Sequence, residues 1–465
     1  MATQQTLTSI NPTTGLVLET YPALNAEGIQ ATIELAGNAW LKWRETRLNL
    51  RTKMMMEVAA ELREQQQPLA EMMAMEMGKP ITQGLAEVEQ AADCCEHYAE
   101  HAQGYLESDS IVSDAKDSFV TYQPIGALLG VLGWQEPVAQ AFHFLAPALM
   151  AGNACVLRHA PQLQGCAQMI VELMQTVFGR LKVPDANIVV NLPVAQDDIE
   201  LAIRQPAIQG VLFRGAASEG AQVAGVAAAE FKRTVLQLGS ADPCIVLVDA
   251  ADLEKAADAV VQSRLNNTGQ SSDAAKRILV EAPVYDAFID LLKQRIASPV
   301  IGDPLLDDTV IGPIATGQQL HTIEQQVNAA IDAGARCICG GETIQRPGYY
   351  YAPTLLADVT PEMEVFSTDL AGPVIAVMKV DSFEHALATA NSSPYGMAAS
   401  IWTQKPMYKR QAILNLQAGQ VSINGVVKTD PRLPSGGIKQ SGYGRSLGPH
   451  GIREFTNAKQ VWIGK

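Results

Sequence analysis

The chain has 465 residues, with 34 Lys and Arg against 49 Asp and Glu, a formal net charge of −15. Hydrophobic residues make up 47% and charged residues 18%, which excludes a disordered or low-complexity chain. No clustered Lys/Arg stripe is present, so a nucleic-acid footprint is not expected. At roughly 100–200 residues per domain, the length predicts two to four domains with a sizeable core.

Residues 27–106 read as successive amphipathic helices. Trp40, Trp43 and Leu48 open an apolar face that Met55, Val58, Ala59 and Leu62 continue at three-and-four spacing. The pattern pauses at Gly78-Lys79-Pro80, a helix-stopping tripeptide. The polar, alternating segment 109–123 is flanked by turn residues and predicts a projecting hairpin. Short apolar runs then alternate with helix-length stretches: 126–134, 154–157, 187–190, 210–213, 234–238 and 244–248. A second series covers 277–281, 335–339, 374–380, 398–403 and 420–424. Such alternation predicts crossover units, largely parallel sheets and two α/β domains.

The seven cysteines are odd in number and form no Cys-x-x-Cys pair, so reduced thiols and a cytoplasmic setting are expected. The first ten residues carry no basic and apolar export pattern. The longest apolar stretch, 141–157, contains His143, Pro147, Gly152 and Asn153, which a membrane span would not carry together. His97-Tyr98-Ala99-Glu100-His101, with Cys94 one turn earlier, matches a zinc-ligand spacing. On an amphipathic helix it reads better as a solvated stripe, and no metal is expected. Gly215-Ala216-Ala217-Ser218-Glu219-Gly220 follows one apolar run and opens a helical stretch. A glycine turn there leaves helix N-terminal amides free for a phosphate. An ordinary strand-to-helix turn has the same look.

Nearly the whole chain resembles the aldehyde dehydrogenase superfamily, and its short bacterial succinate-semialdehyde dehydrogenase branch in particular. The segments that carry the likeness include Ile10-Asn11-Pro12-Thr13-Thr14-Gly15, Glu76-Met77-Gly78-Lys79-Pro80 and Leu145-Ala146-Pro147-Ala148-Leu149. Asn267-Thr268-Gly269-Gln270, Ala274-Ala275-Lys276-Arg277 and Gly436-Gly437-Ile438-Lys439-Gln440-Ser441-Gly442-Tyr443-Gly444-Arg445 continue it. The resemblance implies an α/β fold with a Rossmann-like cofactor domain at 1–108 and 124–236. It also implies an α/β catalytic domain at 237–435, and an oligomerisation arm from 109–123 and 441–465. It further implies NAD or NADP as cofactor and a homodimer or homotetramer. A hetero-oligomer with an active homologue is the variant reading.

Family chemistry joins a cysteine thiolate, an oxyanion-holding Asn and a Glu base. Here the nucleophile position is Ser272, the base position Gln237 and the oxyanion position Gln135, followed by Glu136. Among cofactor positions, Trp134, Gly215, Gly220 and Leu238 lie in matching segments, whereas Arg158 replaces a Lys. Arg214-Gly215-Ala216 replaces Thr-Gly-Ser, and Asp369-Leu370-Ala371 replaces Glu-x-Phe. Ser435 and Ser446 replace a Phe and a Glu, and His143 aligns with the Arg that serves a substrate carboxylate.

A free thiol with a pKa of about 8.5 is roughly 3% ionised at pH 7, and a serine hydroxyl is far less acidic. Gln237 cannot take a proton, and Asp273 is expected to point away from Ser272. These departures predict a family scaffold with lost or severely impaired NAD(P)-dependent aldehyde oxidation, with nucleotide binding possible and a structural or regulatory role. The alternatives are an active dehydrogenase with an atypical site and a weak Ser272-based esterase.

Overall fold

In the computed structural model, which describes residues 5–465, the chain opens with an antiparallel hairpin, β1 (Thr6–Asn11) and β2 (Leu16–Pro22). Helices α1 (Ala26–Trp43), α2 (Leu48–Glu64), α3 (Gln66–Met77) and α4 (Ile81–Tyr105) follow. Asn25 starts α1 by accepting from the Gly28 amide at 2.9 Å. The three-and-four spacing buries Ile29, Ile33 and Trp43 of α1 and Met55, Val58 and Leu62 of α2. Gly78 ends α3 at a left-handed φ of 77°, with Pro313 packed where a Cβ would stand.

Two sheets follow from the apolar runs. In the first, β5 (Ala127–Val131), β6 (Ala154–Arg158), β7 (Val189–Asn191), β8 (Ile208–Arg214) and β9 (Arg233–Gln237) are parallel, in the order β9-β8-β5-β6-β7. Helices α5 (Pro137–Ala151), α6 (Gln164–Leu181), α7 (Ile199–Ile203) and α8 (Ala217–Ala229) connect them. Strand β5 is flanked by β6 and β8, so the winding direction reverses there. Open α/β sheets bind ligands in the crevice outside the carboxyl ends at such a point.

The second sheet has seven strands. They are β10 (Pro243–Val246), β11 (Arg277–Glu281), β12 (Arg336–Cys339), β13 (Thr354–Ala357), β14 (Val374–Val380), β15 (Ala398–Trp402) and β16 (Gln420–Ile423). Only the β12–β13 pair is antiparallel. Helix α9 (Leu253–Leu265) leads into the loop before β11. A third, three-stranded sheet joins β3 (Asp109–Ser110), β4 (Asp117–Pro124) and β18 (Thr456–Ile463). This is the expected α/β architecture of two sheets and a small projecting hairpin.

One boundary differs from expectation. Residues 441–455 do not join the hairpin. The strand β17 (Gly442–Tyr443) pairs with β9, and the helix Gly448–Glu454 packs on α4 and α5. Tyr98 Oη donates to the Gly448 carbonyl at 3.1 Å. Only Thr456 onward reaches β4, because the buried Phe455 anchors the chain before it leaves the first sheet. Among the described residues, no helix is long and apolar enough to cross a membrane.

Candidate active site

A cavity of about 270 Å³ opens where β5 and β8 end, facing the loop before β11. One rim of it is positioned by a buried acid that caps a helix. Glu87 of α4 accepts from the Val138 and Ala139 amides at 2.9 and 3.0 Å, and pairs with Lys79. Both side chains of that pair are 4% exposed. The cap fixes the start of α5, and with it the turn Gly133-Trp134-Gln135-Glu136 on the cavity rim.

The facing loop is built against local preference. Asn267, Thr268 and Gly269 are all left-handed, with φ of 50°, 55° and 75°. A Cβ on Gly269 would stand 2.0 Å from the Gly372 carbonyl oxygen, so only glycine fits. Backbone strain of this kind collects at functional sites. Arg264, fully buried, holds the loop by donating to the carbonyls of Gly269, Leu370 and Val374. Asn267 Nδ2 donates to the carbonyls of Gln135 and Gln270, tying the two rims together.

Ser272 therefore stands in the cavity wall with Gln135 and Gln237. Its Oγ donates to Asp273 Oδ1 at 3.2 Å, and Thr429 Oγ1 donates to Asp273 Oδ2 at 2.7 Å. This corrects the expectation that Asp273 points away. The left-handed run before it breaks the alternation of a strand or simple turn, and Asp273 faces the same cavity. Gln237 Nε2 donates to Ser446 Oγ at 2.7 Å and to the Ser435 carbonyl at 3.2 Å. Three positions that depart from the family pattern thus bond to one another.

Ser240 makes a second network. Its Oγ donates to the Ser272 carbonyl and accepts from Lys276 Nζ at 2.8 Å. Lys276, 1% exposed, also pairs with Asp369, whose other oxygen accepts from the Ser240 amide at 3.3 Å.

None of the seven cysteines lines the cavity. Cys94, Cys95, Cys155, Cys166 and Cys244 are buried, and burial pushes their thiols up, to about 11 for Cys244. Cys337 and Cys339 are half-buried on β12. The helix stripe at 94–101 does not converge: Cys94 Sγ faces the Phe142 carbonyl, while His97 Nε2 meets Tyr105 Oη at 3.1 Å.

Of the other predicted residues, Trp134, His143, Gly215, Ala216, Leu238, Asp369 and Ala371 line the cavity, whereas Arg158 and Gly220 do not. Gly220 is needed for packing, since a Cβ there would meet Leu238 Cδ2 at 2.4 Å. His143 is buried beside Arg214, and burial holds it neutral, near 3. Glu136 is pushed up to about 7, chiefly by burial.

A dinucleotide fits this cleft in one half and not the other. Helix α8 has no side-chain cap at its first turn, which suits a phosphate, and Arg158 is 3% exposed with Nε and Nη2 unpartnered among the described residues. Asp369, for which the resemblance implies a Glu that holds the nicotinamide ribose, is already held by Lys276, and Arg214 lines the same cavity. The contacts of Lys276, Ser240 and Thr429 are not legible in the sequence, because their partners lie 36 to 156 residues away.

The model of the aldehyde dehydrogenase family matches residues 1–461. A probable succinate-semialdehyde dehydrogenase (NADP(+)) of Synechocystis sp. is 41% identical over 457 residues, 98% of this chain and 99% of that protein. A succinate semialdehyde dehydrogenase (NAD(P)+) of Escherichia coli is 37% identical, covering 98% of this chain and 97% of its own. The crystal structure of succinic semialdehyde dehydrogenase from Streptococcus pyogenes, solved with NADP+, superposes at a TM-score of 0.94 with 32% identity. That match covers 99% of this chain and all of the other.

Proposed function

This chain belongs to the aldehyde dehydrogenase family, and from that premise we propose that it no longer oxidises aldehydes by the thiol route. It acts instead as a ligand-binding homologue with a structural or regulatory role. The observation that carries this reading is Ser272. At the nucleophile position stands a hydroxyl, and no thiol reaches the cavity. Covalent addition needs a nucleophile activated by a low pKa or a base. The base position is an amide turned toward Ser446. The oxyanion position, Gln135, keeps an amide on a longer arm, and displacement of one such donor costs about a hundred- to a thousandfold in rate.

What the residues can still do is bind and orient. Ser272 and Thr429 hold Asp273 in the wall, Asn267 ties the two rims, and Lys276 keeps Asp369 turned inward. A nicotinamide cofactor would supply hydride transfer in this family. No step is assigned through it here, because its ribose ligand is engaged.

The three-stranded sheet leaves Trp462 and Ile463 of β18 55% and 43% exposed. This supports assembly with a second copy, or with an active homologue, through that edge.

The test is direct. Purified protein is assayed with succinate semialdehyde and either NAD+ or NADP+, beside the double variant Ser272→Cys/Gln237→Glu. We expect no reduced cofactor from the native chain. Turnover in the usual range of about 1–10³ s⁻¹ would overturn the proposal. The competing reading, an active dehydrogenase with an atypical site, is favoured by the names of the 41% and 37% identical relatives, and the same assay decides it.

A further inference from the structure

Arg214 ends β8 and lines the cavity with Gly215, Ala216 and Ser272. Among the described residues its side chain makes no hydrogen bond or ion pair, and its Nε, though not the whole half-buried residue, is buried without a partner. The acids around it are otherwise engaged. Asp273 accepts from two hydroxyls, and Asp369 is paired with Lys276. Glu136, which faces Lys79, Glu87, Asp273 and Arg214, is half-protonated near neutral pH. His143, also against Arg214, carries an unpartnered buried Nδ1 and no charge.

A guanidinium inside a protein is ordinarily paired, because taking its charge out of water without a partner is unfavourable. Its planar fork matches a carboxylate through two parallel hydrogen bonds. We propose that the cavity binds a small aliphatic carboxylate whose carboxylate group pairs with Arg214, at the end of the cleft where the resemblance would seat a nicotinamide.

Size and charge narrow the ligand. The cavity, about 270 Å³, lies just below the usual range of about 300–1,000 Å³ for small-molecule sites. A phosphate dianion beside Asp273 and Glu136 would meet more repulsion than a monoanion does. The remainder of the ligand meets Gln135, Ser272 and Trp134, which line the same space. This inference names a ligand class for the non-oxidising site proposed above and rests on that reading.

Calorimetric titration of the full chain with butyrate, propionate, butyramide and inorganic pyrophosphate tests it. Saturable binding of butyrate and propionate is expected, with none of the neutral amide. Arg214→Gln should weaken carboxylate binding by about tenfold or more, and Arg214→Lys should keep part of it. An unchanged thermal midpoint shows that each variant is folded.

Equal binding of butyramide, carboxylate binding indifferent to Arg214→Gln, or no carboxylate heat at all would overturn the proposal. So would pyrophosphate alone depending on Arg214. Aldehyde turnover by the native chain would remove the non-oxidising reading, while the carboxylate titration, which contains no aldehyde, would still stand or fall by itself.

Discussion

Behind the cavity, buried charged groups grip backbone. Glu87 caps α5, Arg264 takes three carbonyls, and Arg277 donates to the carbonyls of Ala241, Thr389 and Ala390. On the cavity surface, side chains grip one another: Gln237 with Ser446, Ser272 with Asp273, Ser240 and Asp369 with Lys276. Of the first set, Arg277 sits on a segment that matches the family pattern. The second consists largely of positions that depart from it. A decayed site would show unpaired polar groups where partners were lost. Gln237, Ser446, Ser272, Ser240 and Asp369 are each hydrogen-bonded in this way, whereas Arg158, His143 and Arg214 keep buried nitrogens without a partner among the described residues.

That contrast can be broken by substitution. Glu87→Ala strands the Lys79 ammonium and uncaps α5, so a loss of about 3–5 kcal/mol is expected in urea unfolding. Arg264→Met leaves three buried carbonyls without a donor and should cost about 3 kcal/mol by the same measurement.

Glu136 adds a pH dependence. Its carboxyl sits near 7 in the folded chain against an ordinary 4.5. The stability it contributes is fully present below about 4.5 and is lost as pH rises through about 7, on the order of 3 kcal/mol in all. Comparing unfolding curves of the native chain and Glu136→Gln across this window isolates the slope, which the variant should lack. Ser240→Gly removes one link of the lysine network and should cost about 1 kcal/mol.

Ser272→Ala should change stability by less than about 0.5 kcal/mol, because Asp273 keeps Thr429. If it costs as much as Arg264→Met, the division between frame and surface fails. Activated-ester hydrolysis lost in Ser272→Ala would instead revive the esterase alternative, for which Asp273 is the only evident base.

The frame was legible in the sequence for a physical reason. Helices at 27–106 announce themselves through a buried face at three-and-four spacing, and parallel strands through apolar runs such as Leu128 and Leu129. β13 is only four residues long and starts directly after Pro353, and β17 is only two residues long, so neither makes an apolar run long enough to stand out. At the site, the altered residues Ser272 and Gln237 were visible by position. Their partners were not, since Ser446 lies 209 residues from Gln237 and Asp369 lies 93 from Lys276. Asp273 was misjudged because three consecutive left-handed residues upstream carry no alternating signature.

The Lys276–Asp369 pair acts as a resident competitor. Any ligand that draws on the Asp369 carboxylate must first take it from an ammonium that is 1% exposed. Breaking a buried pair in that way costs about 3–5 kcal/mol. Asp369 keeps 31% of its side-chain surface in solvent, so water offsets much of that figure. Even a third of it weakens an incoming ribose about tenfold, whereas a ligand seated on Arg214 meets no such rival. The cleft thereby favours small occupants at its inner end without any residue blocking the way in.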